Sequence, residues 1–430
     1  MAQISEMPRA GTAAIVRILE ARRGLLRDYS SAISGSAGRL IFSLAYFVLL
    51  ANTLTIADFG VFATASAAGV MLSRIVAFGF ISTLYRIATV RPRLIGTFAA
   101  GFAALAIVSL PVLLAGSLLV FVGFFSQDMA LTPFLVVIAA ESLMWRPAEA
   151  VIIVNNGMGR FGRASVLVIL GTLMRAAAAL VLALMSQRDL ATWCWLYLAA
   201  NLVSLVVAVG FFFPRQKLRF RPRLYWRRLP DSLYVAGAEV LFYLQMEFDK
   251  LLVLSIGGAR LAGIYAIIMR LVDLTAIPIR TFTMMLVQKM MRAPESLARY
   301  GIRIGIEAGI FVTSTAALVC LAVLLHFLPN ALGRNVSAAA PLIGLALIVP
   351  GLRNLVEYQA ELLFARGQML VRTINLALLA GAKGVLLAWL LASISEPGPL
   401  ILWLNCAFAA LYLVSTVLTY SALRLPAKSV

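Results

Sequence analysis

Apolar runs of bilayer length follow one another along the whole chain with only short loops between them. Twelve fall at 32–53, 61–84, 94–119, 131–155, 163–187, 190–213, 231–257, 261–288, 300–327, 340–364, 368–392 and 399–423. A hydrocarbon core takes ~20 apolar residues per helix. Inside it each backbone polar group must be bonded within its own segment, which makes every run a helix. Of 430 residues, 62% are hydrophobic and 13% charged, against ~25% charged in a soluble domain. The expectation is an all-α membrane protein of about twelve transmembrane helices with no sizeable soluble domain.

Loop charges set the orientation. With the N-terminus placed in the cytoplasm, twenty-five lysines and arginines fall on cytoplasmic segments. Only Arg188, Arg260 and Arg334 fall on the other side. The positive-inside rule then predicts both termini in the cytoplasm. It also explains the net charge of +19 without a nucleic-acid partner. Residues 1–30 interleave Ile15, Val16, Ile18, Leu19, Leu25 and Leu26 with arginines. They read as an amphipathic helix on the cytoplasmic surface rather than a cleavable signal.

The chain looks duplicated. Gly60-Val-Phe-Ala opens the second run and Gly263-Ile-Tyr-Ala the eighth. A basic segment, 214–230, divides an N-terminal half, 31–213, from a C-terminal half, 231–430. Each half has an even number of spans, so the two share one orientation. Two six-helix bundles related by a pseudo-twofold axis along the membrane normal are expected.

Eighteen ionisable residues fall inside the proposed spans, nine basic and nine acidic. Each costs at least ~2.5–3.5 kcal/mol facing lipid at a helix centre, so the set must pair or line a wet cavity. Helical spacing permits Arg270–Asp273, Glu247–Lys250, Arg353–Glu357 and Arg146 with Glu141 or Glu149 to pair within one helix. Glu307 and Glu361 lie near Arg303 and Arg366. Arg39, Arg74, Arg175, Arg280 and Lys383 remain without a local acid to pair with and are candidates for an anion-binding surface, unless acids on other helices such as Glu239 or Asp249 neutralise them.

Other signals fail. Gly157-Met-Gly-Arg-Phe-Gly162 spells GxGxxG, but it sits in a short turn between two spans rather than in a βαβ unit. His326 is the one histidine, and Cys194, Cys320 and Cys406 are far apart. No catalytic group, metal site or cofactor is expected.

Two stretches carry a family resemblance. Residues 52–63, Asn-Thr-Leu-Thr-Ile-Ala-Asp-Phe-Gly-Val-Phe-Ala, lead into an apolar helix ending Ala77-Phe-Gly-Phe80. Residues 246–265 run from Met246-Glu-Phe-Asp-Lys250 to Gly263-Ile-Tyr265. Both resemble bacterial polysaccharide flippases, the Wzx-type branch of the multidrug/oligosaccharidyl-lipid/polysaccharide exporter superfamily. Leu362-Leu-Phe-Ala-Arg-Gly-Gln368 is similar to that family's turn into its eleventh helix. The resemblance implies an inner-membrane transporter, not an enzyme, that moves an undecaprenyl-pyrophosphate-linked sugar unit. A glycan polymerase, chain-length machinery and membrane lipids are its implied partners. It also implies a cationic cavity with arginines on the first, second and eighth helices, here Arg39, Arg74, Arg270 and Arg280, to which the residue reading adds Lys383.

Two other readings stay open. A cation-coupled multidrug exporter of the same superfamily would use the carboxylates Glu239, Glu247 and Asp249. A membrane-embedded glycan polymerase or ligase lacks the large external loop it would need. A major facilitator is disfavoured by Ala88-Thr-Val-Arg-Pro-Arg93 between helices two and three.

Overall fold

A computed structural model describes residues 38–292, 300–394 and 396–424. The amphipathic helix expected at 1–30 lies outside them. Among the described residues all regular structure is helical, and the chain makes twelve passes. The first six are α1 (Gly38–Thr53), α2 (Ile56–Ser73, resuming as Phe80–Val90), α3 (Ile95–Phe124), α4 (131–157), α5 (Phe161–Leu184) and α6 (Leu190–Val207). The second six are α7 (222–257), α8 (259–292), α9 (Tyr300–Phe327), α10 (Arg334–Ile343 with Val349–Ala365), α11 (Met369–Ser393) and α12 (Pro397–Leu423).

Several passes are interrupted, each for a local reason. The Thr55 hydroxyl caps α2, accepting the Asp58 N–H at 3.1 Å and donating to the Asp58 carboxylate at 2.7 Å, so the helix starts ahead of the expected position 61. Past Ser73 it breaks. Ala77 and Phe78 take φ of 54° and 50°, a left-handed backbone that costs a non-glycine residue ~1–2 kcal/mol. The Ala77 N–H, lost to the helix, donates to Ser109 Oγ at 3.0 Å. In α4 a π turn at Ala140–Trp145 adds a residue to one turn, and α10 bends by 67°.

Helices α7 and α8 form a hairpin. The Tyr265 hydroxyl donates to Asp249 at 2.5 Å. Sixteen residues along one straight helix would put them ~24 Å apart. The chain therefore doubles back, and it does so at Gly258, whose φ of 78° suits glycine.

The halves form two bundles with the duplicated motifs at their crossing. A Cβ added to Gly60 would run into the backbone nitrogen of Gly263, and one on Gly263 into the carbonyl oxygen of Ile56. Small residues that let backbones touch are how membrane helices pack closely. One apolar core runs through both bundles.

Helix α7 belongs to both halves. At ~1.5 Å per residue it is about 54 Å long, more than the ~30 Å hydrocarbon core. It starts at Pro222, inside the stretch read as linker, and its first turns pack on the N-terminal bundle. There the Tyr225 hydroxyl donates to the Thr97 carbonyl at 2.8 Å and Ser232 bonds Thr83 at 3.0 Å. Its far end joins the C-terminal bundle, where Lys383 on α11 donates to the Gln245 carbonyl at 2.8 Å.

Candidate functional site

The faces of the molecule are distinguished by their loops: a basic face carries Arg91, Arg160, Arg221 and Arg366, and an opposite face carries the α1–α2 and α7–α8 turns. At the opposite face the halves are locked together. Asn52 Nδ2 donates to the Leu332 carbonyl at 2.8 Å, and Asn335 Nδ2 donates to the carbonyls of Ala51 and Leu54 at 2.7 and 2.9 Å. The Gly60–Gly263 contact lies at the same end. Between the bundles is a cleft of about 230 Å³. Three bases, Arg175, Lys250 and Arg270, and three acids, Glu141, Glu247 and Asp273, line it beside aromatic rings that include Tyr46 and Phe62.

Most of the buried charge is paired, largely between helices. On the N-terminal side Arg146 is almost fully buried and grips Glu149 at 2.7 Å and Glu239 at 2.8 Å. Arg74 joins the same group, 3.2 Å from Glu149 and 3.9 Å from Glu239, with its guanidinium over the Tyr243 ring. Two cations and two anions from α2, α4 and α7 thus form a neutral cluster that holds α7 to the N-terminal bundle.

The π turn aims Glu141 into the cleft. It accepts from Tyr197 Oη at 2.5 Å and Ser66 Oγ at 2.8 Å, and Arg175 lies 3.8 Å away. Arg175 also donates to Asn201 Oδ1 and stacks over Trp145 and Tyr197.

In the C-terminal bundle Lys383 and Asp249 form a wholly buried pair at 3.0 Å. Lys250 holds Glu247 at 2.5 Å. Arg353 lies 3.2 Å from Asp273, and Arg280 lies 2.9 Å from Glu357 and 3.8 Å from Asp273. Glu361 takes Arg372 at 2.6 Å rather than Arg366.

Two arginines are left over. Among the described residues neither Arg39 nor Arg270 has a carboxylate within ion-pair distance. Arg270 Nη2 donates to Ser43 Oγ at 2.5 Å. Arg39 is on the same face of α1 one turn before Ser43, where such side chains stand ~6 Å apart. It is exposed, and Arg270, Arg280 and Arg175 are all within electrostatic reach of it. Arg270 thus lines the cleft without a direct ion pair, and Arg39 stands beyond its lining, one helical turn toward the basic face from the Ser43 that Arg270 bonds.

Solved structures share the fold of this chain over nearly its full length. An inward-facing multidrug resistance MATE family transporter of the MOP superfamily gives a TM-score of 0.59 at 14% identity, covering 90% of this chain and 96% of that one. A MATE transporter in the bent conformation gives 0.58 at 13%, covering 92% and 95%. A MOP superfamily transporter from Pyrococcus furiosus gives 0.57 at 13%, covering 93% and 97%. The chain has the MATE transporter fold. No family profile matches the sequence, and no curated protein matches it.

Within this MATE fold the sequence-derived candidates separate into groups. Arg270 lines the cleft, and Arg39 lies outside its lining, one turn from the Ser43 that Arg270 bonds. Arg74, Arg280 and Lys383 each meet an acid from another helix, and Arg280 also stands 3.8 Å from Asp273 on its own helix. Of the expected pairs within a helix, Glu247–Lys250 and Arg146–Glu149 form. Arg270–Asp273 and Arg353–Glu357 do not, because Asp273 turns to Arg353 and Arg280, and Glu357 to Arg280. Glu307 accepts from Gln359, Tyr412 and Tyr420. The carboxylates Glu239, Glu247 and Asp249 each hold a cation. Tyr46, Ser66 and Tyr197 line the cleft without having been singled out. Their only sequence signal is a polar group in an apolar run, which many satisfied residues share.

Proposed function

We propose that this protein moves an undecaprenyl-pyrophosphate-linked oligosaccharide across a bacterial inner membrane by alternating access between its two bundles. The observation that carries the reading is that Arg39 on α1 and Arg270 on α8 have no carboxylate within ion-pair distance among the described residues and approach each other where the bundles meet, Arg270 bonding Ser43 one turn from Arg39. Guanidinium groups bind phosphate oxygens bidentately and stay charged at every cellular pH. A pyrophosphate would draw on both bundles at once. With the basic face in the cytoplasm, the closed opposite face makes this an inward-facing state ready to load.

A cation-coupled multidrug exporter is the second reading. Aromatic rings beside Glu141 in the cleft favour it, as does the multidrug transporter that shares the fold. Against it, Glu239, Glu247 and Asp249 are all neutralised by bases. The Pyrococcus furiosus transporter is described as having a binding pocket of reversed polarity, so a likeness of fold does not fix the charge of the substrate.

The test is complementation. Arg39→Ala and Arg270→Ala should each lose surface-polysaccharide export at normal protein levels, and the lysine variants should keep part of it, since an ammonium lacks the bidentate fork. Full export by both alanine variants would defeat the proposal. Drug extrusion that survives both but fails in Glu141→Gln would transfer support to the second reading.

A further inference from the structure

A second and larger cavity, of about 920 Å³, lies away from the cleft in the C-terminal bundle. Helix α10 packs on both α9 and α12, while those two splay apart above it. The floor is Leu352 and Leu355, both buried, and Ile304 on α9 and Val417 on α12 form walls that are 50% and 66% exposed. Exposed apolar side chains on spanning helices face hydrocarbon, so the crevice opens sideways into the bilayer.

Its mouth has a different chemistry. Arg303 begins α9 and Arg424 follows α12, so both guanidiniums stand at the basic-face end. Arg303 lies over the Tyr420 ring. One acid, Glu307, lies further in, satisfied by neutral donors: Tyr420 Oη at 2.7 Å, Tyr412 Oη at 3.0 Å and Gln359 Nε2 at 3.1 Å. Bases outnumber acids among the lining residues, and the excess is at the mouth.

We propose that this crevice binds an anionic phospholipid from the leaflet at the basic face. Its phosphate would sit on Arg303 and Arg424, and an acyl chain would lie along Leu352 and Leu355. A soluble anion has no use for an apolar floor open to lipid, and an uncharged lipid has none for two arginines at the mouth. Basic pockets between spanning helices bind anionic head groups in this way. The bound lipid would fill the space between α9 and α12, which are otherwise joined there by Glu307 with Tyr412 and Tyr420 and by Arg303 over Tyr420. This site is independent of the transported substrate and of the central cleft.

The experiment uses the full chain purified in mild detergent. Native mass spectrometry and thermal unfolding are recorded with added phosphatidylglycerol or phosphatidylcholine. Wild type should retain phosphatidylglycerol preferentially and be stabilised by it. Arg424→Gln and Arg303→Gln should each weaken retention about fivefold, the effect of one basic residue near a lipid surface. Ala308→Trp, which fills the crevice from α9, should abolish retention with helicity and elution volume unchanged. If Ala308→Trp fails to fold, the two arginine variants decide. Equal retention of both lipids, or retention of phosphatidylglycerol unchanged by either arginine variant, would overturn the proposal. So would a polyprenyl phosphate as the retained lipid, displaced by Ala308→Trp.

Discussion

Arg146 shows what pairing between helices does to a buried charge. Its guanidinium, 1% exposed, holds Glu149 on its own helix and Glu239 on α7. Removing one partner of a buried pair typically costs ~3–5 kcal/mol, because the other is stranded. We expect Arg146→Ala to lower the unfolding midpoint and the amount of protein in the membrane, with transport falling in proportion. Arg146→Met combined with Glu239→Met leaves the Arg74–Glu149 pair intact and should be closer to wild type than the single variant. If Arg146→Ala is as stable as wild type, the cluster is not what holds α7 to the N-terminal bundle. Arg39→Ala should show the reverse pattern, loss of export at full stability. The sequence marked every one of these charges, because an ionisable group in an apolar run is conspicuous. It could not sort them. Spacing along a helix says which pairs can form, while the choice of Asp273 between Arg270, Arg280 and Arg353 depends on where α10 lies beside α8.

At the scale of helices, the most constrained contact is between α2 and α8. Gly60 and Gly263 bring the two backbones together with no room for a side chain on either. The obstacle to a Cβ there is backbone, which cannot turn aside as a side chain can. Overpacking usually costs ~1–3 kcal/mol. Gly263→Val should reach at least that and loosen the closed face. Cysteines at 52 and 335, in a background lacking Cys194, Cys320 and Cys406, report it directly. Their disulfide should form readily with Gly263 and slowly with valine, and equal rates would show that the glycines do not set the approach. The repeated Gly-x-aromatic-Ala motif was visible in sequence, though its meeting across the pseudo-twofold axis was not. Helix positions followed from hydropathy to within about six residues except for α7, which starts at Pro222 in the basic stretch read as linker rather than at 231. The break at Ala77 and Phe78 did not, both being ordinary helix residues by type, whereas the π turn at Ala140–Trp145 has a mark in Pro147, which has no N–H to give the Leu143 carbonyl. What accommodates the break is a neighbouring helix, since Ser109 on α3 takes the freed Ala77 N–H.

For the molecule as a whole, the helix number and bundle architecture were legible because bilayer thickness fixes the length of every apolar run. The conformation was not legible, since the hydropathy of the runs is the same whichever face of the cleft is closed. The state seen here bears on the energy source. If the substrate carries about two negative charges on its pyrophosphate, a cytoplasm-negative potential favours its outward passage by ~2.3 kcal/mol per charge per 100 mV. Under that proposal, loading from the basic face and release opposite is electrically downhill for the substrate; if Arg39 and Arg270 move with it the loaded cleft is near neutral, and the potential instead draws the empty, cationic cleft back toward the cytoplasm. An ion could assist by binding the carboxylates of α7 and shifting the balance of states. Those carboxylates are occupied, however: Glu239 by Arg146, Glu247 by Lys250 and Asp249 by Lys383. We therefore expect flipping in proteoliposomes to respond to an imposed potential at matched ion concentrations. Sodium and proton gradients at zero potential should have little effect. A rate indifferent to potential and dependent on either gradient would reject this scheme, and Asp249→Asn would then locate the ion. Gradient dependence abolished in that variant would mean that Lys383 gives way to the ion during the cycle, and dependence retained would place the ion outside α7.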